Sequence, residues 1–309
     1  MTSPFGPLSV IADPPEAGGR VGERLPALER ALEAHGLEHT MSVAERRGDG
    51  TRLAAAALDG GSRFVVAVGG DAAVQDVVNG MFRDGAPIVE SAVLGVVAAG
   101  ADNDLLRSFG LPGDIDGGVR HLVGENTYPF DLMRIACTGP DGAPRTRYAH
   151  NLAEIGLGAN ARLASRRLPS GLGERPRRFL GFWRGYVGAR RQCLRVGYDM
   201  KAWEGEGFHV VIGNGQFASG IRLSPRSFPG DGVLDALVFT GQKSDAYTMI
   251  PRMMRHGGHV PDDAIKELRA RIRFSVEGDR PMAVVADGEP LGVTPATFQI
   301  VPQQILLKL

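Results

Sequence analysis

Across 309 residues there are only two cysteines, Cys137 and Cys193, far apart in the chain. Two such thiols make neither a disulfide framework nor the ligand spacing of a zinc site, and they suit a reducing cytosol. Net charge is absent too: 35 Lys and Arg balance 35 Asp and Glu. The overall charge therefore points to no nucleic-acid partner, and any charged partner has to be read from local patterns. No apolar run approaches the roughly 18 residues that a membrane-spanning helix needs. Residues 1–8 show no basic stretch ahead of an apolar one, so no signal peptide is expected and a cytoplasmic protein is. Internal repeats and low-complexity tracts are missing. So are the Gly-x-x-x-x-Gly-Lys-Ser/Thr phosphate loop, the Gly-x-Gly-x-x-Gly dinucleotide loop and the Gly-x-Ser-x-Gly elbow. The histidines are scattered, with no carboxylate or cysteine at metal-ligand spacing. The composition that is left, 43% hydrophobic and 23% charged, is that of a globular chain with room for two domains of roughly 150 residues each.

The first 125 residues alternate short apolar runs with helical patterns, which predicts a doubly wound α/β domain on a parallel sheet. Leu8–Ala12 reads as a strand, and Arg20–His35 then places Val21, Leu25, Leu28 and Leu32 on one helical face. Arg63–Val68 and Ala92–Val97 are apolar enough to be strands covered on both sides. After about Asn126 period-two segments take over: Asp131–Ala136, Arg147–Ile155, His209–Asn214, Val233–Phe239, Arg271–Val276, Met282–Ala286 and Thr297–Val301. They predict an antiparallel, sandwich-like second domain, interrupted by helices near Arg175–Cys193 and Asp245–His256. The expected division is 1–126, to which 303–309 returns, and 127–302.

Two glycine-bearing loops fall at the carboxyl ends of parallel strands, where open α/β sheets take up ligands. The first, Gly69-Gly70-Asp71-Ala72-Ala73, leads into a helix whose free amides suit a phosphate; alone, it is equally a simple turn. The second is Gly100-Ala101-Asp102-Asn103-Asp104.

Together the segments say more. Residues 66–80 resemble the Gly-Gly-Asp-Gly-Thr loop and following helix of the diacylglycerol kinase catalytic family. Residues 94–112, with Asn103-Asp104-Leu105 and Leu111-Pro112, are similar to its Gly-Thr-x-Asn-Asp segment. Residues 151–159, then 211–239 with Asn214, Pro225 and Asp231-Gly232-Val233, and finally Val285-Ala286-Asp287-Gly288-Glu289 follow in the family's order across nearly the whole chain. The resemblance implies a lipid kinase of the NAD kinase-like fold, with an N-terminal α/β nucleotide domain and a C-terminal β-rich domain, ATP and a lipid alcohol meeting in the cleft between them. It makes Asp287 the general base, with Asp71, Asp104 and Asp131 organising Mg²⁺ and water and Glu289 in support. Gly69, Gly70, Asp71, Ala72, Ala73, Gly100, Ala101, Asn103 and Asp104 would then hold ATP, and Asp231 with the Val233 carbonyl a structural Mg²⁺. An Asp-Gly β-turn is the plain alternative there. Carboxylates suit this chemistry, because phosphoryl transfer is mostly positioning and charge neutralisation and magnesium prefers oxygen ligands. A homodimer joined at a sheet edge is compatible with the architecture.

The chain departs from the family where it would meet phosphate. Ala72 and Ala73 stand for glycine and threonine, Ala101 for threonine, and Asp13-Pro14 for Asn-Pro; Asp102 replaces a small residue. Two donors to phosphate are lost, each hydrogen bond to a charged group being worth roughly 1.5–3 kcal/mol. Three readings stay open: an active lipid kinase with an unusual loop, a kinase-fold protein that binds a lipid or small ligand without turnover, and a phosphotransferase of a neighbouring lineage such as the NAD kinases.

Residues 162–195 form a local exception to charge balance. They hold Arg162, Arg166, Arg167, Arg175, Arg177, Arg178, Arg184, Arg190, Arg191 and Arg195 against Glu174. Phe179, Phe182, Trp183, Tyr186 and Val187 share one helical face there. Basic and aromatic residues in such a pattern suit an anionic membrane surface; packing of the stripe onto the second domain's sheet is the alternative.

Overall fold

A computed structural model of the chain describes residues 3–13, 20–99, 103–245, 249–250, 252 and 257–309. It divides into two compact units, 1–132 with 301–309, and 133–300. The chain passes from one to the other inside the strands Thr127–Thr138 and Glu289–Lys308.

In the first unit the strands His39–Val43, Leu8–Ala12, Phe64–Val68 and Val93–Val97 lie side by side in that order, all parallel. The chain's end joins as a fifth, pairing Leu306 with Val93. Phe64–Val68 and Val93–Val97 are buried at every position, as strands covered on both faces must be. Helices α1 (Arg20–Ala34), α2 (Asp49–Asp59), α3 (Asp71–Gly80), α4 (Asp104–Phe109) and α5 (Ile115–Arg120) make the connections. Leu28 and Leu32 of α1 and Val119 of α5 pack with Leu8, Val10, Phe64 and Val66 on one face of the sheet. On the other side α2 and α3 pack so closely that a Cβ on Gly80 would lie 2.7 Å from that of Ala54.

His121, just past α5, is half-buried with both ring nitrogens shielded, near Lys308, whose ammonium donates to the carbonyls of Asn126 (2.9 Å) and Leu309 (2.7 Å). Burial first, and the Lys308 charge second, push the imidazole pKa down to about 4 from its ordinary 6.5. The unfolded chain therefore takes up this proton before the folded one does. Stability is fully present above pH 6.5 and drains away as the pH falls towards 4, by up to about 3 kcal/mol. Urea denaturation of His121→Phe should show a flatter stability–pH slope across that window than the parent protein; an unchanged slope would remove His121 as its source.

The second unit is an antiparallel sandwich. One sheet orders Ile265–Ala270, Leu234–Phe239, His209–Gly213, Leu152–Gly156 and Ala283–Ala286, the last paired with the start of the long strand Glu289–Lys308. Further along, the same long strand pairs with Arg273–Gly278, which pairs with Gln192–Tyr198 and so with Lys201–Gly207. Ile155, Val210, Ala236, Phe274, Val276 and Phe298 meet in the core. Helices α6 (Leu157–Arg166) and α7 (Glu174–Gly188) interrupt the strands.

Several boundaries differ from the sequence reading, Asp131–Ala136 widening to Thr127–Thr138 and Thr297–Val301 to Glu289–Lys308, and two bear on the second unit's helices and turns. Arg147–Ile155 is not one strand: Pro144–Ala149 and Leu152–Gly156 are separated at His150-Asn151, where the backbone amides turn to a carboxylate instead of a neighbouring strand. The helix expected to reach Cys193 stops at Gly188, because Leu194 and Val196 are buried in alternation and belong to the next strand. Of the expected helix Asp245–His256, residues 246–248, 251 and 253–256 lie outside the described residues.

Candidate functional site

In the first unit the strand Phe64–Val68 delivers the chain to Gly69, at φ 149°. A Cβ at this position would come 2.8 Å from the Cβ of Ala73 and 2.9 Å from that of Asp13, so glycine alone fits. Gly70 follows in extended conformation and, as the N-cap of α3, offers its first amides no capping side chain of its own. Ala72 is half-buried, and Ala73, 5% exposed, tucks its methyl against Gly69.

The carboxylate of Asp71 reaches across to the second loop, where its Oδ1 accepts the amides of Asp104 (2.9 Å) and Leu105 (3.4 Å). Asn103 answers in the opposite direction: its Nδ2 donates to the Gly69 carbonyl (3.3 Å) while its Oδ1 caps α4 through the Leu106 amide (2.9 Å). Asp71 and Asn103 thus tie the two loops into one structure, with a charge-assisted bond at its centre. Asp104, 3% exposed, pairs with Arg107 at 2.6 Å. Gly100, Ala101 and Asp102 lie outside the described residues. Asp131 is fully buried and accepts the amide of Gln303 at 3.1 Å, fixing a residue at φ 50°.

In the second unit Asp287 stands at φ 47° in the hairpin between Ala283–Ala286 and the long strand. Its Oδ1 accepts the amides of Asn151 (3.1 Å) and Leu152 (3.0 Å); its Oδ2 accepts the amide of His150 (2.8 Å) and lies 2.9 Å from the His150 Nδ1. Both side chains are fully buried. Glu289, two residues on, forms an ion pair with Arg166 of α6. Asp231 accepts the Val233 amide at 3.1 Å, closing an Asx turn. Among the described residues no three His, Cys, Asp or Glu side chains converge as a metal site.

The same unit contains a cavity of about 810 Å³ under α6 and α7. It exists because the two helices meet backbone to backbone along Gly181 and Gly185: a Cβ on Gly185 would lie 2.5 Å from the Ala161 nitrogen, and one on Gly181 2.7 Å from the Ala161 oxygen. With small residues at the crossing, the aromatic side chains spread to either side. Phe182 and Tyr186 join the buried cluster of Phe208, Leu237 and Phe239. Phe179, Leu180 and Val187 remain 63%, 42% and 77% exposed. The aromatic stripe is therefore divided, half of it packing inward and half facing out. Phe179, Phe182, Trp183 and Phe208 line the cavity together with Arg162, Arg166 and Gly288, the last covalently next to Asp287. Glu154 and His209 also line it. Sequence reasoning gave these two no role. The available signal was a charge at Glu154 inside an otherwise buried strand, LAEIG, since such a charge is seldom placed there without a task.

Residues 7–135 match the diacylglycerol kinase catalytic domain, and residues 187–308 the YegS C-terminal NAD kinase beta sandwich-like domain. A diacylglycerol kinase of Staphylococcus haemolyticus is 27% identical over 92% of this chain and 82% of its own length. A Klebsiella pneumoniae protein named "Probable lipid kinase YegS-like" is 24% identical over 93% of both. Among solved structures, a diacylglycerol kinase from Bacillus anthracis superposes with a TM-score of 0.71 at 18% identity, over 99% of this chain and 97% of that one. Yeast NADH kinase superposes with a TM-score of 0.52 at 11% identity, over 97% and 82%. Both show the fold, α/β followed by a β sandwich, that the sequence predicts.

Proposed function

We propose, for a chain that belongs to the diacylglycerol kinase family, that it transfers the γ-phosphate of ATP to a hydroxyl of a lipid alcohol. The observation that carries the reading is the apolar, aromatic-lined cavity beside the Asp287–Glu289 hairpin, because such a volume suits a hydrocarbon chain. In this reading the α3 amides behind Gly69 and Gly70 receive phosphate oxygens. Asp71 and Asp104 face magnesium, which neutralises charge on the transferred group. Asp287 takes the proton of the acceptor hydroxyl as its oxygen bonds to the γ-phosphorus and the bond to ADP breaks. To do so its Oδ2 must exchange the His150 imidazole for the incoming O–H. Asp131 and Glu289 act indirectly, through Gln303 and Arg166. The exposed side of α7 brings the cavity to an anionic bilayer, which sedimentation with vesicles reads directly.

The test is calorimetric titration with ATP and Mg²⁺, with ADP and NAD as comparators, followed by a screen of lipid alcohols with labelled ATP. Binding of ATP with a Kd on the order of micromolar and label appearing in lipid are the expected results. No binding of any nucleotide would overturn the kinase reading in favour of a kinase fold that holds a lipid without turnover.

A further inference from the structure

The wall of the cavity in the second unit is largely apolar, with Arg162, Arg166, Arg177 and Arg178 also on it, and one place carries acceptors. There Glu154, on the strand Leu152–Gly156, and His209, on the neighbouring strand, stand side by side. Glu154 spends Oε2 on the Arg162 guanidinium at 2.9 Å, and the same arginine reaches Ser219 Oγ at 2.7 Å. The other oxygen, Oε1, borders Gly158 at the start of α6: a Cβ on that glycine would fall onto it and would lie 2.8 Å from the His209 Cε1. Any other residue at 158 would thus fill the space that the two polar groups share. His209 tilts over Phe239, ring centroids 4.9 Å apart, with Nδ1 2.9 Å from the Ile155 carbonyl. The Gly158 amide nitrogen also lies 3.4 Å from Nδ1, but the shorter Ile155 contact is the stronger one and takes the Nδ1 proton, which leaves Nε2 as an acceptor. Burial lowers the imidazole pKa and outweighs the Glu154 charge, which raises it, so the ring is neutral at physiological pH and the assignment holds there.

This place therefore offers two acceptors, a carboxylate oxygen and an imidazole nitrogen. An apolar cavity with two neighbouring acceptors fits a ligand that brings a hydrocarbon chain and a donor besides the hydroxyl that faces Asp287. We infer that Glu154 and His209 read the head of the acceptor lipid and select alcohols carrying a second hydrogen-bond donor beside the hydroxyl that receives phosphate. The hydroxyl that receives phosphate faces Asp287, so diacylglycerol brings no donor to Glu154 and His209, whereas a single-chain glyceryl lipid brings its second hydroxyl to them. Leaving a buried acceptor unpaired is what gives hydrogen-bonding sites their discrimination. The inference rests on the lipid kinase reading for the identity of the ligand as acceptor, but its test does not need turnover.

The probes are a hexadecyl glyceryl ether, which carries two hydroxyls, and the analogue lacking the middle hydroxyl, which shares its chain. Binding is measured by calorimetry on the full-length protein in a non-ionic detergent. The parent protein is expected to prefer the ether by about tenfold or more. Glu154→Gln turns a donor towards the cavity and His209→Phe removes the second acceptor while keeping the ring over Phe239. Each should cut the preference to less than about twofold while the one-hydroxyl analogue keeps its affinity. Two variants at separate acceptors are used so that loss of folding in one, read by its melting curve, leaves the other informative. Equal affinity of the parent protein for the two probes would overturn the inference, as would a preference that survives in both variants. Phosphate transfer is followed in parallel. Preference without transfer sinks the kinase reading and spares this one; transfer without preference does the reverse.

Discussion

Asp287→Asn is expected to lower turnover about a thousandfold, within the range a general base contributes, and to cost the fold about 1–3 kcal/mol besides. The second effect follows from geometry. Three backbone amides and the His150 Nδ1 converge on this carboxylate. An asparagine can offer them a single oxygen. Its NH₂ group must then face at least one N–H, leaving a buried donor unpaired. The family motif alone would have made this substitution a clean removal of a base, but the structure makes Asp287 also the anchor that turns the chain between Ala149 and Leu152. ADP release with a lipid acceptor measures the first effect and urea denaturation the second. Turnover within tenfold of the parent would place the base elsewhere, and Glu154, facing the cavity, would be the group to substitute next. Unchanged stability would mean that the amide cluster does not depend on the charge.

The parts of the fold that could be read in advance are those whose side-chain period is unbroken. The strands Phe64–Val68 and Val93–Val97 are buried at every position and stand out as apolar runs. His39–Val43 is an edge strand with no fully buried residue, and its sequence, HTMSV, carries no period to find. Gln192–Tyr198 alternates clearly, but the helix of basic and aromatic residues before it, expected to reach Cys193, overlaps its first two residues. Site residues behaved in the same way. The order of the Gly-Gly-Asp, Asn-Asp and Asp-Gly-Glu segments pointed to the diacylglycerol kinase family, and the matches over both units bear that out. What those residues hold was not legible. Asp71 and Asp287 each bind main-chain amides far along the chain, and an amide has no sequence signature. The cavity was hidden for a related reason: its walls are drawn from positions 154 to 288. Gly181 and Gly185, two of the three glycines of α7 and spaced by one turn, are where the second helix crosses.

The largest effect expected on the surface concerns α7. Phe179, Leu180 and Val187 are 63%, 42% and 77% exposed, and at about 100° per residue they fall within one arc of the helix, away from Gly181 and Gly185 at the α6 contact. Arg175, Arg184 and Arg190 are exposed nearby. Burying a large apolar side chain is worth about 1.5–3 kcal/mol, and an arginine near an anionic surface about 1 kcal/mol. The triple variant Phe179→Ser, Leu180→Ser, Val187→Ser should therefore lose at least about a hundredfold in partitioning onto vesicles containing anionic lipid, even after allowing for the area already covered by neighbours. Its melting curve should be unchanged, because none of the three belongs to the buried clusters. Salt separates the contributions: raising ionic strength screens the arginines but leaves the apolar part, so the parent protein should keep some binding to neutral vesicles that the variant lacks. Equal sedimentation of parent and variant would mean that this face of α7 does not meet the bilayer. Binding that salt abolishes completely would assign the contact to the arginines alone.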